Sequence, residues 1–130
     1  MSKQFTLGKE ERLKSRKLTE QLFSEGKKFT LDPFRVYYLQ NPAENFLCQV
    51  GAGVSTKSFK KATDRNRIKR LIRETYRLQK SVLTERLKDQ KKHLIFFIIY
   101  TGKELPEYKV VYDKMGKLLE KLCTLINAKN

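Results

Sequence analysis

The chain has 130 residues, 39% of them hydrophobic and 11% aromatic, which is enough burial material to oppose chain entropy and excludes a wholly disordered polypeptide. Its 29 Lys and Arg against 14 Asp and Glu leave a net charge of +15, a field over a small surface that calls for a polyanionic partner. No apolar run approaches the roughly 20 residues that span a bilayer.

The start, Met1-Ser2-Lys3-Gln4-Phe5, lacks the apolar centre of a secretion signal, so a cytoplasmic protein with no membrane partner is expected. No Pro-, Gly- or Ser-rich linker divides the chain, and a single domain over 1–130 is expected. Its ends, about 1–8 and 127–130, are too polar to be firmly held. Cys48 and Cys123 are isolated, without CxxC spacing, and sit in apolar patterns. They read as reduced, buried thiols rather than a disulfide or a metal knuckle.

Ser15 is suited to cap a first short helix that buries Leu18, Leu22 and Phe23, with Gly26 as a left-handed stop. A brief strand is expected at 28–30. Pro33 then opens a run over 34–40 whose alternation separates Phe34, Val36 and Tyr38 from Arg35, Tyr37 and Leu39. Asn41-Pro42-Ala43-Glu44-Asn45 is turn chemistry. The strand after it alternates Phe46, Cys48, Val50, Ala52 and Val54 against Leu47, Gln49, Gly51 and Gly53, and the two strands read as a hairpin.

Asp64 is the expected N-cap of one long helix. From it Ile68, Leu71, Ile72, Thr75, Gln79, Val82 and Leu83 recur at helical spacing as far as the polar segment 88–92. Residues 93–100 are almost continuously apolar, as an interior strand covered on both faces would be. Pro106 closes the following loop. Val111, Met115, Leu118, Leu119, Leu122 and Ile126 mark a last amphipathic helix. Helices with one apolar stripe need a sheet to cover, so the order implies an α+β, single-domain α/β sandwich.

The informative segment is the long helix. On a wheel at about 100° per residue with Arg65 at zero, Lys69, Lys80, Arg73, Asn66, Arg77 and Arg70 fall between about 40° and 140°. Ile68, Leu71, Ile72, Thr75, Gln79 and Val82 fall between about 240° and 340°. A merely solvated charged face interleaves Glu with Lys at i,i+4, whereas here only Glu74 interrupts the cations. Like charges three and four apart oppose helix formation, and their accumulation implies an anionic ligand. The planar fork of arginine suits bidentate phosphate contact and stacking on bases, and Asn66 adds both a donor and an acceptor. Five such phosphate contacts to single-stranded RNA would give a log-log salt slope of about −3.5.

Upstream, Ser55-Thr56-Lys57-Ser58-Phe59-Lys60-Lys61 places Lys57, Lys60 and Lys61 before the helix N-terminus, as an extension of a phosphate track or as an ordinary polar loop. Tyr37 and Arg35 point away from the side that the late helices cover. They line an open groove where an aromatic stacks on an unpaired base, or Tyr37 is packed under the first helix. Phe23 carries the same two readings, with the core favoured.

A self-sufficient metallonuclease would need clustered carboxylates or His and Cys ligands, yet the chain has one histidine, His93, at the edge of an apolar strand. No Ser or Cys nucleophile has a plausible His partner. Adjacent Glu10 and Glu11 read as solvated. A helix-turn-helix is disfavoured because the cationic helix lacks a short preceding helix and tight turn. A basic helix on a small α/β sheet would equally serve a ribosomal or other structural RNA-binding protein, which stays open as an alternative.

Arg65-Asn66-Arg67-Ile68-Lys69-Arg70-Leu71-Ile72-Arg73-Glu74 resembles the signature helix of the bacterial ribonuclease P protein, an Arg-Asn-Arg segment followed by Lys-Arg and another Arg. The likeness extends to Arg12-Leu13-Lys14, to Leu22-Phe23-Ser24-Glu25-Gly26, to Phe34-Arg35-Val36-Tyr37 and to Val50-Gly51-Ala52-Gly53-Val54-Ser55-Thr56-Lys57, covering most of residues 9–83. Departures are Thr19 in place of a frequent aromatic, Thr56 in place of a frequent Lys, and an extra residue in the loop before Asp64.

The resemblance implies an α-β-β-β-α-β-α sandwich on a small four-stranded sheet with a left-handed crossover, against ordinary crossover statistics. It also implies a protein subunit, expected to be monomeric when free, that binds the catalytic RNA of ribonuclease P and the 5′ leader of precursor tRNA. In the family the RNA performs the hydrolysis with Mg²⁺, so no catalytic residue, metal site or bound cofactor is expected of the protein alone. By matched position Arg65, Asn66, Arg67, Lys69, Arg70 and Arg73 are signature residues, and Tyr37 and Phe23 are candidates for the leader cleft.

Overall fold

A computed structural model describes residues 11–40 and 47–127. The turn expected at 41–45, Phe46, Glu10 and the polar ends 1–8 and 128–130 lie outside the described residues.

The elements run α1 (Arg16–Glu25), β1 (Lys27–Leu31), β2 (Phe34–Gln40), β3 (Cys48–Val54), α2 (Ala62–Gln79), α3 (Ser81–Gln90), β4 (Leu94–Tyr100) and α4 (Tyr108–Asn127). Ser15 caps α1 as expected, its hydroxyl accepting from the Leu18 amide at 3.2 Å. Gly26 is not a left-handed stop: its backbone is extended, at φ −75° and ψ 169°. Glycine is needed there for space, because a Cβ would stand 2.8 Å from the Tyr38 carbonyl oxygen.

The four strands form a mixed sheet in the order β1-β2-β4-β3. The expected hairpin of residues 34–40 with 46–54 is therefore corrected: β4 lies between them, antiparallel to β2 and parallel to β3. Alternation says which residues share a face but not which strand lies alongside. The strand Leu-Ile-Phe-Phe-Ile-Ile-Tyr is apolar on both faces and takes the interior place.

One face of the sheet offers Phe34, Val36, Tyr38, Phe96 and Ile98 to the main core, which α2, α3 and α4 close. The expected stripe of α4 is fully borne out, with Val111, Met115, Leu118, Leu119, Leu122 and Ile126 all buried. On the opposite face α1 buries Leu18 and Leu22 against Ile95, with Leu13, Tyr37, Leu39 and Phe97 packed around them.

The single long helix is also corrected. Lys61, not Asp64, occupies the N-cap, and Asp64 sits in the first turn, where a carboxylate still suits the positive end of the helix. The rod breaks at Lys80, whose carbonyl accepts from Leu83 at 3.0 Å and Thr84 at 2.9 Å to start α3. The break changes the phase of everything beyond it. Val82, expected in the apolar stripe, is 55% exposed, and Lys80, expected among the cations, is buried. Within α2 the buried residues are Ile68, Ile72, Thr75 and Tyr76, whereas Leu71 is half-buried, so the apolar stripe is turned slightly toward Tyr76.

Candidate nucleic-acid interface

The outward face of α2 borders an open groove of ≈ 470 Å³ lined by Arg12, Asn66, Arg70, Arg73, Glu74 and Arg77. The predicted residues Asn66, Arg70, Arg73 and Arg77 are thus brought together, since positions three, four and seven apart share one helix face. Arg70 and Arg73 are exposed. Arg77 is tied to Glu74, its Nε donating to the carboxylate at 2.8 Å. The Arg73 guanidinium is held below its ordinary pKa range, first by partial burial and then by the charge of Arg12.

Other predicted residues take different places. Arg65 turns back onto its own loop, donating to the carbonyl oxygens of Phe59 and Lys60 at 2.8 Å each. It braces the segment that carries Lys57, Lys60 and Lys61, all three exposed. Phe59 anchors the same loop: it is buried, with its ring 6.0 Å from that of Tyr100. Arg67 is exposed and Lys69 half-buried, and neither lines the groove.

A second feature lies on the α1 side of the sheet. Phe23, expected to lean into the core, is 42% exposed, because α1 turns only Leu18 and Leu22 fully inward. Its ring stands edge-on to Tyr37 at 4.7 Å and tilted over Phe97 at 5.4 Å. Tyr37 is half-buried beneath α1, as its packed reading has it, and is in contact with the exposed Phe23. Arg35, two residues along the same strand face, is exposed. Phe97 is a member of this cluster that the sequence does not single out. Its signal is the pair Gly51 and Gly53, which leave room for the ring, but that pair has meaning only once β3 is known to lie beside β4.

Two residues before α1 meet distant parts of the chain. The chain at Arg12 bridges to Val50 on the edge of β3. Glu11, expected to be solvated, pairs with the buried Lys80 at 2.6 Å.

Nucleophilic chemistry has no foothold at the cysteines. Burial pushes the Cys48 thiol up to about 12, with Tyr76 its neighbour at 3.7 Å, and Cys123 is raised by burial as well. Among the described residues no group of three or more His, Cys, Asp or Glu stands where it could hold a metal ion. The carboxylate in the groove is bonded to Arg77, so this residue set does not fit a Mg²⁺ ion held by the protein alone. Among the described residues, no helix is long and apolar enough to cross a membrane.

A family model described as Ribonuclease P matches residues 7–123. The chain belongs to the ribonuclease P protein family. It is similar to the ribonuclease P protein component of Porphyromonas gingivalis, 36% identical over 116 residues that cover 88% of this chain and 85% of that one. The corresponding protein of Dictyoglomus thermophilum is 32% identical over 119 residues, covering 90% and 92%. Among solved structures, the RNase P protein from Thermotoga maritima superposes with a TM-score of 0.67 at 29% identity, covering 85% of this chain and 96% of that one. The Staphylococcus aureus RNase P protein gives 0.69 over 90% and 98% at 22% identity, a likeness of fold.

As a ribonuclease P protein the chain binds RNA and acts within a ribonucleoprotein that processes the 5′ leader of precursor tRNA. The ribosomal alternative falls away. The fold sets a cationic helix beside β3 and an aromatic cluster against α1.

Proposed function

We propose that the groove along α2 grips the catalytic RNA of ribonuclease P through Asn66, Arg70, Arg73 and Arg77, and that the cluster of Phe23, Tyr37 and Phe97, with Arg35 beside it, seats the 5′ leader of precursor tRNA. One observation carries the reading: Arg70 and Arg73 stand exposed in a single groove whose lining carboxylate is already bonded to Arg77. Guanidinium groups so placed match phosphate oxygens bidentately, and single-stranded bases stack on exposed aromatic rings.

Lys57, Lys60, Lys61, Arg67 and Lys69 extend the positive field beyond the groove, and Arg65 serves it by bracing the loop. Mg²⁺ belongs to the RNA in this reading, since the carboxylate lining the groove, Glu74, is bonded to Arg77. The free protein acts as a monomer in the cytoplasm, the compartment of its substrate.

Reconstitution tests the proposal. Wild-type protein added to ribonuclease P RNA at low Mg²⁺ should accelerate precursor tRNA cleavage, and a variant carrying both Arg70→Glu and Arg73→Glu should not. Equal stimulation by the two proteins would refute the groove assignment.

A further inference from the structure

The segment before α1 is held on both sides of Arg12. Leu13 donates its amide to the Val50 carbonyl at 3.0 Å and packs against the cluster of Leu18, Leu22 and Ile95. Glu11 reaches across 69 positions of sequence to the Lys80 ammonium at 2.6 Å, and the Lys80 side chain is only 8% exposed. A buried ammonium is costly without a partner, so this pair fixes the path of the chain rather than decorating it. With Glu11 committed to the helix break and Leu13 to the apolar face beneath α1, the side chain between them is the one that lines the groove, opposite Asn66, Arg70 and Arg73.

The electrostatics of that groove are unbalanced. Arg12 and Arg73 repel one another, and the lining carboxylate, Glu74, is bonded to Arg77. An anion between the two guanidinium groups relieves the repulsion, and a phosphodiester presents oxygens to both. We infer that Arg12 is an RNA-phosphate ligand that completes the groove from outside the helix, and that the Glu11–Lys80 ion pair is the positioning contact that sets it there. The inference rests on the α2 face being an RNA surface and adds to it a contact supplied by a different part of the chain.

Filter binding of the full-length protein to ribonuclease P RNA across a salt series decides it, with thermal melting run in parallel. Arg12→Gln should lower affinity by about three- to tenfold and flatten the log-log salt slope by about 0.7 to 0.9, at an unchanged melting temperature. Glu11→Gln should reproduce most of that loss, yet cost little further when Arg12 is already replaced, because it acts through Arg12. Should Glu11→Gln weaken folding, the exchange of Glu11→Lys with Lys80→Glu restores the pair. Recovered affinity then supports positioning, and a folded exchange variant that binds as weakly as Arg12→Gln refutes it. Arg70→Glu separates the Arg12 contact from the helix face on which it depends. Loss with Arg70→Glu but wild-type affinity and slope with Arg12→Gln overturns the Arg12 assignment alone, and no loss with either overturns the reading of the helix face as well.

Discussion

Gly51 and Phe97 are register partners across the parallel ladder of β3 and β4, and a Cβ at position 51 would stand 2.5 Å from the Cδ2 of that ring. Gly53 meets the other side of the same ring, where a Cβ would stand 2.7 Å from Cε1. The two glycines form the bed on which Phe97 lies beneath Phe23. Gly51→Ala should therefore force the ring out of place and destabilise the protein by about 1 to 3 kcal/mol, the usual cost of overpacking. Urea titration measures this, and a variant of wild-type stability would show that the ring has room to move.

Phe23 is the exposed member of the aromatic cluster. Phe23→Ala should weaken holoenzyme binding to precursor tRNA by about tenfold, in line with the loss of one stacked base, while affinity for mature tRNA, which has no leader, stays unchanged. Equal losses for both RNAs would place the effect outside the leader cleft.

Two signature arginines should behave differently. Arg70 is exposed over the groove, so Arg70→Glu should lower affinity for the catalytic RNA by about tenfold or more with an intact circular dichroism spectrum. Arg65 holds two loop carbonyls, and Arg65→Glu should in addition loosen the loop around Phe59, seen as faster amide exchange of residues 59–61. Indistinguishable exchange in the two variants would remove the bracing role.

The apolar face of α2 separates Leu71 from Ile72. Ile72 is 1% exposed, and Ile72→Asp should cost more than about 4 kcal/mol by burying an unpaired carboxylate. Leu71 is half-buried, and Leu71→Asp should leave a folded protein of reduced stability rather than an unfolded chain. Chemical denaturation of both variants checks the order, and the reverse ranking would mean that the helix is rotated.

Cys48 makes a pH prediction. Its thiol is raised by burial from 9.0 to about 12, so the folded state keeps the proton while the unfolded state releases it. Its contribution is complete below pH 9 and is lost as pH rises toward 12, and Tyr76, raised for the same reason, acts in the same direction. Stability should fall over this window by less in Cys48→Ala than in the native chain, and native Cys48 should resist thiol reagents at about pH 8, where even an ordinary thiol is only partly ionised. Rapid labelling under those conditions would contradict the burial.

Local signals carried much of this protein. The helical stripe of α4, the interior character of β4, the Ser15 cap and the gathering of Asn66, Arg70, Arg73 and Arg77 on one face all follow from periods of two and 3.6 residues, which sort side chains within an element whatever surrounds it. The resemblance of that cationic helix also led to the family. Tertiary structure alone decided that β4 enters between β2 and β3, that the helix breaks at Lys80, that Phe97 packs against Phe23, and that Arg12 shares a groove with Arg73. Each of these depends on contacts between residues distant in the chain, such as Glu11 with Lys80, and periodicity carries no record of which element will lie opposite another.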